Sequence, residues 1–437
     1  MEDVCSYSSV VEGSCERVRA YYESPSCMQR LLSRGGAAPL YIGGLHGCRV
    51  NAQKPYTITY QCSRGKISAS SYEITCRALS DHKTEVTTCV RYQLHYGFLG
   101  RSLARKIQEK IYRELFHTHL LAQEDRKHYH LYPHAAPLKV LLSGASGFVG
   151  NHLVNLLPLF ACDVFTLVRK ESTDPKEIFW DPYHKTVDLS RLEGFDAVIH
   201  LSGENVGAFR WTKKKKQAIK ESRLLSTRFL VESFHKLSHP PKSFFCASAI
   251  GFYGDCAGKV VDETAPSGQG FLAEVSADWE EEAKMFSKGR VVSMRFGTVL
   301  GSQGGLLQKF TTLLHYGFSL QVGSGEEKWS WISLEDLGYQ ILHLLRKESI
   351  QGAVNMTTPY PVTTKEFAAT LAKVLHVQWP LPMGRKILQL MMGEAAEGLL
   401  TSIQAMPRQL ENTQSYFSYP RLEEALRCIF NKYEIHQ

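Results

Sequence analysis

The 437-residue chain lacks several features that would place it at once. No stretch reaches about 18 consecutive apolar residues, the length that reads as a membrane-spanning helix. Among the 11 cysteines there is no CxxC pair and no His–Cys ligand spacing, so no metal site is indicated. The opening residues, MEDVCSYSSVVEGSC, carry acids where a secretory leader has a basic stretch followed by an apolar one. Reduced thiols and a cytoplasmic location are therefore expected. Neither sign of charge dominates. The 51 Lys and Arg face 43 Asp and Glu, a net charge of +8, which is not the footprint of a nucleic-acid binder. The densest basic run, Lys213–Lys216, falls in a helical pattern and reads as a solvated face. Internal repeats and low-complexity tracts are missing as well.

What is present divides into three parts, in line with the two or three domains that this length suggests. Residues 1–130 read as an α+β domain. Alternating, Thr/Tyr/Val-rich segments at 56–61, 66–78 and 83–96 predict an antiparallel sheet. In 98–125 the period changes, with Leu99, Leu103, Ile107, Ile111 and Leu115 recurring every fourth residue, and a long amphipathic helix is predicted. Residues 131–137, with two prolines, read as a linker. From 138 to about 303, short apolar runs alternate with helical segments, the pattern of a doubly wound α/β parallel sheet. The runs are Val140–Leu142, Val164–Val168, Ala197–Leu201, Phe244–Ala247 and Val291–Met294. Residues 304–437 become mostly helical and predict a small C-terminal lobe.

The first βα junction carries Gly144, Gly147 and Gly150 in a G-x-x-G-x-x-G array. Such glycines permit a tight turn, a close backbone approach to a pyrophosphate, and close helix–strand packing. The helix N-terminus then offers free N–H groups to phosphate. Ser143, Phe148 and Val149 complete the predicted cofactor loop. An NAD-preferring site usually places Asp or Glu at the end of the second strand. Arg169 stands there instead, with Lys170 beside it, which predicts NADP(H) through forked hydrogen bonds to a 2′-phosphate. Leu201, Ser202 and Gly203 end the fourth strand, at the edge where ligands bind in open α/β folds.

The segments SGASGFVG, DAVIHLSGENV, RWTKKKKQAIKESR, ASAIGFYGD, MRFGTVLG and WSWISLEDL follow one another at a familiar spacing. Together they resemble the extended short-chain dehydrogenase/reductases, and more narrowly their atypical YfcH-like branch, labelled epimerase family or nucleoside-diphosphate-sugar epimerase-like. The resemblance covers residues 138–437, including a tail domain of the branch's own type. It implies an NAD(P)-binding Rossmann core and places Arg223 near the phosphate or adenine end of NADP(H). Where the family has WIHIxDL this chain reads WISLEDL, so Ser333 takes the place of a histidine. More faintly, residues 1–130 resemble the helix-grip fold of polyketide cyclases and lipid-transfer domains, which implies either a ligand cavity or a docking role.

The superfamily's chemistry uses Tyr as acid/base with Lys four residues on, which lowers the tyrosine pKa. None of the 20 tyrosines has a lysine at that spacing, and the corresponding window holds Phe271 and Val275. The remaining catalytic candidates are Ser248, at the end of the fifth strand, and Tyr253, on the loop after it. The alternatives are packing or a substrate contact for Tyr253, and a backbone or cofactor hydrogen bond for Ser248. Arg295, at the end of the sixth strand, either pairs internally or meets an anionic substrate. Glu204 reads as structural, and Asp278–Glu282 as a surface helix face around one buried tryptophan. Three functions remain open. One is an NADP(H)-dependent oxidoreductase or epimerase acting on a small molecule, a nucleotide sugar or a carbonyl compound. Another is a non-catalytic NADP(H)-binding redox sensor or regulator. Carriage of a small ligand by the N-terminal domain is a third.

Overall fold

The computed structural model describes residues 136–207, 210–308, 318–377 and 379–432. Nearer the N-terminus it describes 2–12, 56–60, 67–81, 83–94, 120–128 and a few isolated residues. The chain separates into two compact units, Met1–Pro133 and His134–Gln437.

In the first unit, strands β1 (Glu2–Glu12), β2 (Tyr56–Tyr60), β3 (Ile67–Ser80) and β4 (Lys83–Leu94) form an antiparallel sheet of order β1-β4-β3-β2. Side chains alternate across a strand, so Thr84, Val86 and Thr88 are buried on one face of β4. Ile74 and Cys76 are buried beside them on β3. β1 was not apparent from sequence, since SYSSVV carries no apolar alternation. Most of the helix expected at 98–125 lies outside the described residues; 120–128 are helical.

The second unit is built on an eight-stranded sheet of order β17-β12-β10-β9-β5-β6-β7-β8. Its strands are β5 (Leu138–Ser143), β6 (Cys162–Val168), β7 (Glu177–Asp181), β8 (Thr186–Val187), β9 (Ala197–His200), β10 (Ser243–Ala249), β12 (Arg290–Phe296) and β17 (Gly352–Met356). All pairings are parallel except the β7–β8 hairpin. The sheet thus draws on residues beyond 303. Helices α1 (Phe148–Leu156), α2 (Lys213–His235), α3 (Phe271–Lys284) and α4 (Leu334–Arg346) make the crossovers. Leu141, Val198 and Phe244 pack with Phe229, Phe234, Trp279 and Phe286 of the α2–α3 layer. α1 and α4 pack closely together, since a Cβ on Gly338 would lie 2.4 Å from Leu156. This two-sided cover explains why the strands read as apolar runs rather than alternating ones. β5 sits between β6 and β9, so strand order reverses there. That reversal opens a crevice at the carboxyl ends of the two strands, where such folds bind ligands.

The C-terminal lobe is tied together by short pairings. β11 (Val260–Val261) joins β20 (Gln404–Ala405), β13 (Thr298–Gly301) joins β16 (Trp331–Ser333), β14 (Phe318–Val322) joins β19 (Trp379–Met383), and β15 (Lys328–Trp329) joins β18 (Val362–Thr363). Its helices are α5 (Thr364–Leu375), α6 (Arg385–Met392), α7 (Glu397–Leu400), α8 (Arg408–Asn412) and α9 (Leu422–Phe430). Ser333 caps α4, its hydroxyl accepting from Asp336 N at 3.0 Å. Trp331 is buried and donates to Tyr360 O at 3.0 Å, which makes it a packing residue. Among the described residues no helix is long and apolar enough to cross a membrane.

Candidate functional site

The glycine array forms the turn between β5 and α1. Gly144 has φ +75°, and a Cβ there would come within 2.9 Å of Leu201 C. A Cβ on Gly150 would lie 2.2 Å from Gly144 O, which no side chain tolerates. α1 begins at Gly147 with no side-chain cap, so its first-turn N–H groups are left for a ligand. These observations fit a bound pyrophosphate. Val149 lines the cleft. The Phe148 ring lies under the Gly301–Gly305 turn, where a Cβ on Gly304 would meet it at 2.5 Å.

Ser143 faces the interior. Its Oγ accepts from Leu201 N at 3.1 Å and from Ser202 N at 3.3 Å. Its proton therefore goes to His200 Nδ1, 2.6 Å away. That leaves the His200 proton on Nε2, which donates to Ser226 Oγ at 3.1 Å; Ser226 donates onward to Ser222 O at 2.6 Å. Burial pushes the His200 pKa down to about 3, so the ring is neutral. This chain of directed bonds fixes the Leu201–Gly203 segment to α2. At Gly203 the missing side chain admits Arg223, whose guanidinium carbon would lie 3.1 Å from a Cβ. Arg223 donates to Glu204 O and Ile219 O, lies over the Trp279 ring at 4.9 Å, and lines the cleft. Burial lowers its pKa to about 10, so it stays charged at neutral pH. Arg169 stands exposed just past the end of β6 and makes no ion pair among the described residues. Of the basic run, Lys213 and Lys214 are exposed, whereas Lys215 pairs with Glu204 at 2.5 Å and Lys216 with Glu394 at 2.6 Å.

From this loop a cleft of about 700 Å³ runs between the sheet's carboxyl edge and the C-terminal lobe. Ser248–Gly251, spanning the end of β10 and the turn after it, form one wall, and Phe271, Leu272 and Val275 of α3 another. The lobe contributes Lys328, Trp329, Arg385, Glu397 and Thr401. Phe271 meets Trp211 edge-on with ring centroids 5.5 Å apart. Phe271 and Val275 thus supply an apolar wall of the cleft.

Ser248 and Tyr253 occupy two ends of one buried network. Arg295 holds Glu280 through two parallel bonds, Nε–Oε1 at 2.8 Å and Nη2–Oε2 at 2.9 Å. Both side chains are almost fully buried. Arg295 therefore pairs internally, and its guanidinium stacks on the Phe252 ring at 3.5 Å. Ser248 Oγ donates to Glu280 Oε1 at 2.7 Å. At the other end Arg295 Nη1 donates to the Tyr253 hydroxyl at 2.9 Å, and Tyr253 donates to Asn355 Oδ1 at 2.7 Å. Burial raises the Tyr253 pKa to about 12. Ser248 lines the cleft, while the Tyr253 hydroxyl is turned to Asn355. Glu280 corrects the reading of Asp278–Glu282 as a surface face: the helix turns this one carboxylate inward, toward the charge at the end of β12. An arginine ending an apolar strand demands such a partner, and that was the available sequence signal. The identity of the partner, and the inclusion of Asn355, Lys328 and Arg385, depend on the tertiary fold.

Fold and site define a doubly wound α/β protein with a dinucleotide loop at its topological switch point. The NAD dependent epimerase/dehydratase family matches residues 140–356, and a domain of unknown function, DUF1731, matches 385–429. An epimerase family protein of Mycobacterium leprae is 33% identical over 290 residues, covering 66% of this chain and 94% of that one. The crystal structure of human epimerase family protein SDR39U1 (isoform 2) with NADPH is 28% identical with a TM-score of 0.64, covering 68% of this chain and 100% of that one. A nucleoside-diphosphate sugar epimerase from Corynebacterium glutamicum shares the fold at 24% identity and a TM-score of 0.70, over 98% of this chain and 90% of that one. The chain belongs to the epimerase family of atypical short-chain dehydrogenase/reductases.

Proposed function

We propose that the protein binds NADP(H) in this cleft and carries out hydride chemistry on a hydroxyl or carbonyl compound, with nucleotide sugars a class to test. The observation that carries this reading is the continuity of the cleft. It runs from the glycine cradle past Ser248 to a lobe wall that holds Lys328, Arg385 and Thr401. Polar side chains of the lobe thus line the same cleft as the glycine loop. Arg169 favours the 2′-phosphate, and the NADPH in the human relative supports the same choice. The cofactor, when bound, supplies the hydride; the chain supplies the phosphate cradle, the apolar wall of Phe271 and Val275, and Ser248.

A fluorescence titration tests the cofactor preference. NADPH is expected to bind at least about tenfold more tightly than NADH, and Arg169→Ala is expected to bring the two close to parity. Equal affinities in the wild type sink the assignment. The non-catalytic reading draws on a different observation, the replacement of the Tyr–Lys pair by Phe271 and Val275. It predicts tight NADPH binding with no oxidation of bound NADPH by any of a panel of aldehydes, ketones and keto-sugar nucleotides. Turnover with one of them decides for the enzyme.

A further inference from the structure

Proton direction in the buried network is fixed by elementary chemistry. A guanidinium only donates, so the Tyr253 oxygen accepts from Arg295 and its proton goes to Asn355. A carboxylate held in a bidentate pair only accepts, so the Ser248 hydroxyl spends its one proton on Glu280. No N–H or O–H among the described residues donates to Ser248 Oγ. Ser248 thus lines the cleft with a hydroxyl whose proton is already taken, leaving only its oxygen lone pairs to offer.

We propose that Ser248 is a hydrogen-bond acceptor for the ligand and that Glu280, braced by Arg295, is the positioning residue that keeps it one. The group that docks on Ser248 is then a donor: the O–H of an alcohol substrate or the carboxamide N–H of the nicotinamide. A serine turned this way does not polarise a carbonyl oxygen. Where the donor is the substrate, it holds a hydroxyl, and the cleft then favours the alcohol form over the carbonyl form. This rests on the cofactor reading above and narrows it.

The experiment has two arms, each read as binding. In the first, wild type and Ser248→Ala are titrated with NADP⁺ and with its 3-acetylpyridine analogue, in which a methyl group replaces the amide nitrogen. In the second, the NADP⁺ complex is titrated with cyclohexanol and with cyclohexanone. If the donor is the carboxamide, wild type prefers NADP⁺ about five- to tenfold and S248A shows no preference. If it is the substrate, the same contrast appears between alcohol and ketone. Glu280→Gln, where it folds, is expected to lose the preference as S248A does; where it does not fold, S248A alone decides. The proposal is overturned if neither arm shows a Ser248-dependent preference for the donor. Affinity for NADP⁺ itself reports separately on the cofactor reading: failure to bind it removes that reading, whereas tight binding with flat ratios removes this one alone.

Discussion

Tyr253 shows how much one buried hydroxyl can hold together. Its oxygen takes a proton from Arg295 and gives one to Asn355, and both partners are buried. Removing it strands a guanidinium N–H and an amide oxygen in the interior, which costs about 1–3 kcal/mol. Tyr253→Phe is therefore expected to lower the unfolding free energy measured in urea by that amount and to leave NADPH affinity within about twofold of wild type. Loss of NADPH binding at unchanged stability would place the hydroxyl at the ligand instead. At this scale the sequence was legible where a residue type is dictated by local geometry. Gly144 and Gly150 could be read because backbone turning and close approach admit nothing else. Glu280 could not, because an acid in a run of acids looks solvated until Arg295 is seen beneath it. Ser143 named itself as part of the loop, yet the direction of its proton emerges from the neutral His200 that receives it.

At the scale of elements, the βα junction depends on contact between backbones. The Cβ of an alanine at 150 would lie 2.2 Å from Gly144 O and 2.8 Å from Ala145 Cα. Neither atom belongs to a flexible side chain, so α1 must move off β5. Gly150→Ala is expected to weaken NADPH binding more than tenfold and to lower the thermal midpoint by several degrees, read by titration and by circular dichroism. An alanine tolerated on both counts would show that the junction has slack. The strands flanking the site were legible because two-sided burial gives continuous apolar runs, as in β5, β9 and β10. The hairpin of β7 and β8 was not, being five residues and two. Nor was β17, whose GAVNM run carries a polar Asn355 that Tyr253 and the Met406 carbonyl hold in place. α3 was legible as a helix and opaque in purpose. Phe271 against Trp211 and buried Val275 make its N-terminal end a wall of the cleft.

At the scale of the whole second unit, the C-terminal segment is fastened along α4, and the fastening titrates. Asp336 accepts from Ser418 N at 2.7 Å and Tyr419 N at 3.0 Å, Gln340 donates to Tyr416 O at 2.9 Å, and His343 Nε2 lies 2.9 Å from Thr413 Oγ1. Thr413 spends its own proton on backbone carbonyls, so His343 is the donor. Burial pushes the His343 pKa down to about 4 and that of His200 to about 3. Both rings are neutral when folded and take up a proton near pH 6.5 when unfolded. Above pH 6.5 neither state is protonated and no stability is at stake. Below it the unfolded chain binds more protons, so stability is lost as pH falls from about 6.5 toward the folded values. Asp336 works the other way. Burial raises it to about 7, so the folded state keeps a proton that the unfolded chain releases near pH 4, and its contribution is lost as pH rises between those values. The histidine term can be isolated with His343→Gln, which keeps an N–H for Thr413 and removes the titration. Urea unfolding at pH 7.5 and pH 5.0 is expected to show a loss on acidification about 1–2 kcal/mol smaller in H343Q than in wild type. An equal loss in both would mean that His343 ionises in the folded protein much as it does in water, and that the tail does not bury it on α4.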